Sequence, residues 1–124
     1  MSSDGSPDRV IVKAPAIGFE PYLRYGKRLE GIDWIPIRFD SETGQGSFLI
    51  RFQPGTKSLP HIHGHGEELV ILDGELIDTD GTVLEPGDVV SFAPGSHHQT
   101  RSEVGCVMHV YLRGPNTPVE DTAN

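Results

Sequence analysis

An all-β fold, a sandwich or barrel of short strands with little or no helix, is what this sequence predicts, and three observations carry the prediction. Fifteen Gly and ten Pro are scattered among short apolar runs in a chain of 124 residues, leaving pieces too short for helices of typical length. Between the runs stand dipeptides with identifiable turn chemistry: Pro54-Gly55, Asp73-Gly74, Asp80-Gly81, Pro86-Gly87 and Pro94-Gly95. The runs are short and closely spaced, which points away from βαβ units and towards a barrel that holds a ligand inside.

Taken in order, the chain opens on Met1–Asp8, which is rich in Ser and Asp and carries almost nothing to bury. The segment Ala14–Arg28 holds three aromatics and two Pro, and is expected to lie across the barrel or at a subunit contact and not as a helix. Strands are expected near residues 32–39, 46–53, 68–72, 75–79, 82–84, 88–92 and 106–112. Asp80-Gly81 pairs a residue tolerant of positive φ with one that prefers it, so it predicts a tight hairpin between 75–79 and 82–84. The last residues, Pro115–Asn124, are again polar. The expected organisation is one domain at 13–114 between loose ends at 1–12 and 115–124.

Ten Lys and Arg against eighteen Asp and Glu give a formal charge of −8, which repels phosphate backbones and anionic lipid. Nucleic acid and membrane partners are therefore not expected. The first residues include early acidic groups and no uninterrupted apolar stretch of signal or membrane type, so a cytoplasmic protein is expected. The single cysteine, Cys106, cannot form an intramolecular disulfide and reads as a small buried hydrophobe.

The chemistry concentrates in "GTKSLPHIHGHGEELVILDG", from Gly55 to Gly74, where His61, His63, His65 and Glu67 recur on every second residue. In an extended segment residues i and i+2 share a face, so His61 and His63 can offer imidazole nitrogens to one ion, and a carboxylate from the next strand can complete that face. Two His and a carboxylate with open positions suit non-haem Fe(II), and also admit Zn, Mn, Ni and Co. Gly64 and Gly66 free the backbone around His65 from an extended path, so the period lapses there. A second stretch, "GDVVSFAPGSHHQ" from Gly87, sets His97 and His98 after a Pro-Gly turn, from which one could reach back as a fourth ligand.

These two stretches resemble the paired motifs of the cupin superfamily. The first, G-x5-H-x-H-x3,4-E-x6-G, fits at every spacing; the second matches at Gly87, Gly95 and His98 but has Ala93 where Pro would stand and lacks the closing Asn. The strings "RFQPGTKSLPHIHGHGEELVILDGEL" and "PGSHHQTRSEVGC" further resemble the cupin branch that includes the anti-sigma-factor zinc-binding domain and the acetylacetone-cleaving dioxygenases. The resemblance implies a cupin jelly-roll barrel, a homodimer, and one divalent transition metal, Fe(II) or Zn(II) foremost, held by His61, His63, Glu67 and His98. By the same register His97 is not a ligand, and Glu68 faces away from the site.

On that footing the expected activity is Fe(II)-dependent oxidative cleavage of a small β-diketone-like or phenolic ketone substrate, with the metal as Lewis acid. A Zn-dependent isomerase, hydrolase or polyketide-type cyclase is the second reading, and a metal-dependent sensor or binding module the third. The anti-sigma proteins carry a helical zinc-binding domain ahead of the cupin, whereas the sequence before Arg51 lacks Cys and His and shows no helical period. His65 and His109 are the candidates for moving protons. His109 alternates with Val107 and Tyr111, opposite Cys106, Met108, Val110 and Leu112, and periodicity leaves open which set lines the cavity.

Overall fold

A strand whose side chains alternate between two environments needs a core on one side and solvent or a second layer on the other. Cys106–Arg113 does this at the centre of the molecule: Cys106, Met108, Val110 and Leu112 are buried, while Val107, His109 and Tyr111 are half-buried on the opposite face. The computed structural model describes residues 8–14, 18–24, 27–58, 61–115 and 117–118, with backbone alone for 24, 27, 61–63 and 117–118. Its strands are β1 (Glu20–Arg24), β2 (Lys27–Asp40), β3 (Gln45–Phe52), β4 (Thr56–Lys57), β5 (His61–His63), β6 (Glu67–Gly74) and β7 (Leu76–Ile77). They continue as β8 (Val83–Leu84), β9 (Val89–Phe92), β10 (Ser96–His98), β11 (Arg101–Ser102), β12 (Cys106–Arg113) and β13 (Thr117–Pro118).

The large sheet runs in the order β1-β2-β3-β12-β6-β9, and two small sheets run β10-β5-β13 and β4-β11-β7-β8. Every pairing among the described residues is antiparallel, in keeping with the all-β fold predicted from the sequence. Register makes the core: Met108 lies opposite Ile50 and Ile71, and Val110 opposite Phe48 and Leu69, so large apolar side chains meet on one face. Each such side chain contributes about 1.5–3 kcal/mol on burial. At the β1 end Tyr22, Trp34, Phe39 and Phe48 form an aromatic cluster, with Tyr22 and Trp34 centroids 4.8 Å apart. All five turn dipeptides read from the sequence end in a glycine of positive φ, between 78° and 93°. At Gly74 the need is absolute, because a Cβ would also drive into the backbone of Gly105.

The structure departs from the expected strands where the period is broken. β2 begins at Lys27 and not near residue 32, and it crosses irregularities opposite β1 and between Pro36 and Arg38. Part of the segment 14–28 is an edge strand, β1, which tolerates Pro21 because an edge leaves one row of amides unpaired. The two- and three-residue strands β4, β5, β10, β11 and β13 were not anticipated as strands. Of the ends expected to be loose, 1–7, 116 and 119–124 lie outside the described residues, and Thr117–Pro118 pairs with His61–Ile62. No described helix is long and apolar enough to cross a membrane.

Cys106 is 4% exposed, and burial pushes its thiol up from 9.0 to about 11. A thiol that stays protonated in the fold while the unfolded chain ionises stabilises the fold fully below pH 9, and that contribution is lost as pH rises towards 11. The loss amounts to about 2–3 kcal/mol. Denaturant midpoints measured from pH 8 to 11 should fall over that window, and a Cys106→Ala variant should show a shallower fall. A thiol reagent at pH 8 should modify native Cys106 far more slowly than the unfolded chain.

Candidate metal centre

The two histidine stretches, more than thirty residues apart in sequence, are joined by one short ladder. Pro94-Gly95 turns the chain, with the Ser96 amide donating to the Ala93 carbonyl at 3.1 Å, and delivers β10 alongside β5. The register pairs Ser96 with His63, His97 with Ile62, and His98 with His61. Residues directly opposite on antiparallel strands share a face. Positions 61, 63, 96 and 98 therefore belong to one face of the ladder, and positions 62 and 97 to the other. His97 is exposed, His98 half-buried.

The adjacent glutamates at the start of β6 are sorted by the same rule. Glu67 lies opposite Leu112 on one side and Phe92 on the other, on the face of the buried Leu69 and Ile71. Glu68 lies opposite Tyr111 and Ser91 on the outer face, where its carboxylate accepts hydrogen bonds from Arg113 Nη2 at 3.2 Å and Ser91 Oγ at 3.4 Å.

His98 packs its ring against Phe92, centroids 4.1 Å apart, so this imidazole and Glu67 flank the same buried aromatic. Its Nδ1 is 2.9 Å from Asp78 Oδ1, between side chains 22% and 16% exposed. Asp78 stands at the foot of the β7–β8 hairpin and also accepts from the Thr79 amide at 2.7 Å. At the hairpin tip, hydrogen bonds from Thr82 hold the Asp80 carboxyl below its ordinary range. Asp78 is the residue that sequence reading missed: nothing in the twenty residues to His98 links the two, and the Asp80-Gly81 turn signals the hairpin but not its contact.

His65 occupies the exposed turn between β5 and β6. Gly66, at φ 96°, bends the chain there, and its carbonyl accepts from the Arg113 amide at 3.2 Å. The His65 ring covers Gly114, where an added Cβ would come within 2.5 Å of the ring's Cγ and Nδ1. On β12, His109 lies opposite Leu49 and Val70, half-buried on the face away from the buried set of Met108. Among the residues whose side chains are described, no three of His, Cys, Asp and Glu converge to hold a metal; that set does not include His61 and His63.

Residues 14–115 match the model of the ChrR cupin-like domain. No curated protein matches the chain in sequence. Among solved structures, the acetylacetone dioxygenase of Acinetobacter johnsonii superposes with a TM-score of 0.78 at 17% identity, covering 100% of this chain and 87% of that one. The polyketide cyclase RemF of Streptomyces resistomycificus gives 0.69 at 19% identity, over 89% of this chain and 84% of that one. A cupin domain of an XRE family transcriptional regulator from Enterobacter cloacae gives 0.54 at 29% identity, over 69% and 99%. At the identities of the first two, the likeness establishes the fold.

Gly114 is not among the glycines of positive φ, so alanine fits its backbone, and the added methyl meets the His65 ring. Gly114→Ala should displace that ring, seen as shifted His65 imidazole resonances in NMR, while the melting temperature falls by no more than about 5 °C. Unmoved His65 resonances would contradict the packing described.

Proposed function

The chain belongs to the ChrR cupin-like family, and on that premise we propose that it is a metal-dependent enzyme of the non-haem Fe(II) dioxygenase type. The substrate class is a small β-diketone-like or phenolic ketone compound. In this reading His61, His63, Glu67 and His98 hold one divalent transition metal. The observation that carries it is the β5–β10 register, which puts positions 61, 63 and 98 on one face, with Glu67 on the inner face of β6. The donor set fits: nitrogen and carboxylate ligands suit divalent first-row metals, and the Nδ1 of His98 already has a carboxylate partner, as the distal nitrogen of a metal-bound imidazole characteristically does.

The metal would supply Lewis acidity towards a ketone oxygen and, as iron, redox access to dioxygen. The protein's own residues do the rest. Glu67 brings a negative charge that would offset part of the ion's positive charge. Phe92, 6% exposed, excludes water beside His98 and stiffens the surroundings of the ligands. His65, exposed at the turn leading into β6, would in this reading pass protons between a substrate and solvent. The likeness to RemF favours a second reading, in which zinc at the same residues serves a non-redox cyclisation or isomerisation. The likeness to a regulator's cupin domain keeps a non-catalytic binding module as the third.

Elemental analysis of protein purified without added metal, combined with oxygen consumption on a panel of β-diketones, tests the proposal. Stoichiometric transition metal should be present, lost on His61→Ala or His98→Ala and kept on His97→Ala. Fe(II)- and diketone-dependent oxygen uptake supports the dioxygenase; oxygen-independent turnover with zinc replaces it with the cyclase type. Unchanged metal content in a folded His61→Ala variant refutes the metal site itself.

A further inference from the structure

We propose that Asp78 is a positioning residue for the metal centre: its carboxylate fixes the proton of His98 on Nδ1 and aims Nε2 as the coordinating nitrogen. The inference rests on the metal-holding role proposed for His98. A carboxylate has no hydrogen to give, so across the 2.9 Å contact Nδ1 must be the donor and Asp78 Oδ1 the acceptor. In a neutral imidazole with its proton on Nδ1, the ligating lone pair is on Nε2.

The surroundings distinguish this contact from a surface ion pair. Asp78 and His98 are both largely covered, and the His98 ring lies against Phe92, so neither group swings freely. The hairpin carrying Asp78 is closed by the Asp78 amide donating to the Thr82 carbonyl at 2.9 Å and the Gly81 amide donating to the Asp78 carbonyl at 2.9 Å. It is then fastened to the residue after His98. The Gln99 amide donates to Thr79 Oγ1 at 2.8 Å, and that hydroxyl donates to the Gln99 carbonyl at 3.0 Å. On the far side, Gln99 Nε2 donates to the Ser58 carbonyl at 2.8 Å and the Thr100 amide to Ser58 Oγ at 3.0 Å. The backbone on both sides of the Asp78–His98 contact is thus held, and the imidazole is oriented before any ion arrives.

Two measurements test the assignment, one needing no metal. Nitrogen-15 NMR of the metal-free protein, at a pH where its histidines are neutral, should show His98 protonated at Nδ1. Asp78→Ala should return it to a mixture dominated by the Nε2-protonated form. Zn(II) affinity, read by chelator competition, should fall about 10- to 100-fold in Asp78→Ala and less in Asp78→Asn, which keeps an acceptor oxygen. Thr79→Val, which removes the hairpin's fastening but leaves the carboxylate, should retain the Nδ1-protonated form and most of the affinity. An Nε2-protonated His98 in the wild type overturns the proposal, and so does a Thr79→Val variant that loses as much as Asp78→Ala. If the wild type binds no Zn(II), the metal reading fails by itself, and the NMR result still decides what Asp78 does to His98.

Discussion

The alternation of β12, paired on both sides, is the constraint from which the rest of the molecule follows. Once Met108, Val110 and Leu112 are committed to the core, the ladder to β3 commits Phe48 and Ile50, and the ladder to β6 commits Leu69 and Ile71. A shift of one residue would expose all of them together, at about 1.5–3 kcal/mol each, so the register has no near competitor. That choice extends to the charged groups at the end of β6. Because Leu112 points inward, its partner Glu67 does too, and because Tyr111 points outward, Glu68 is left to Arg113 and Ser91. A packing decision in the middle of the sheet thereby selects which of two adjacent carboxylates can serve the interior.

The candidate metal centre obeys the same two-residue rule under weaker enforcement. β5 and β10 are three residues each, too short to be held in register by apolar burial alone. Their alignment comes from the turn at Pro94-Gly95 and from β13 lying along the other edge of β5. The rule fails, usefully, at Gly64-His65-Gly66. There the chain leaves the extended path, and His65 goes to the rim against Gly114 and not to the face that strict alternation would have given it.

How legible all this was in the sequence depends on the length of the element. The turns were legible because Pro-Gly and Asp-Gly have chemistry of their own, and the long strands β3, β6 and β12 because apolar residues repeat along them. The face of β12 was not, since Val107, His109 and Tyr111 could line a cavity as well as Cys106, Met108 and Val110 could. Only pairing with Phe48, Ile50 and Ile71 decides it. Strands of two or three residues carry no period to read, and β2 hid its first residues behind irregularities around Gly31. His61, His63, Glu67 and His98 stood out through the resemblance of two spaced motifs. Asp78 could not, because a contact between a hairpin foot and a strand twenty residues later leaves no spacing signal.

Rigidity at the site is therefore supplied in two ways. Glu67 inherits it from the backbone, as the first residue of an eight-residue strand paired to β12 and β9. His98 sits in a three-residue strand whose few ladder bonds contribute about 0.5–1.5 kcal/mol each, little to hold an imidazole at a fixed angle. Side chains make up the difference: Asp78 on the ring, Thr79 and Ser58 on the residues that follow, and Phe92 beneath. Short strands leave the chain open enough for a ligand to approach, and the surrounding hydrogen bonds restore the order that short strands lack. On this view the β7–β8 hairpin, which contributes just two residues to each strand, matters to the site less as sheet than as the bracket that carries Asp78.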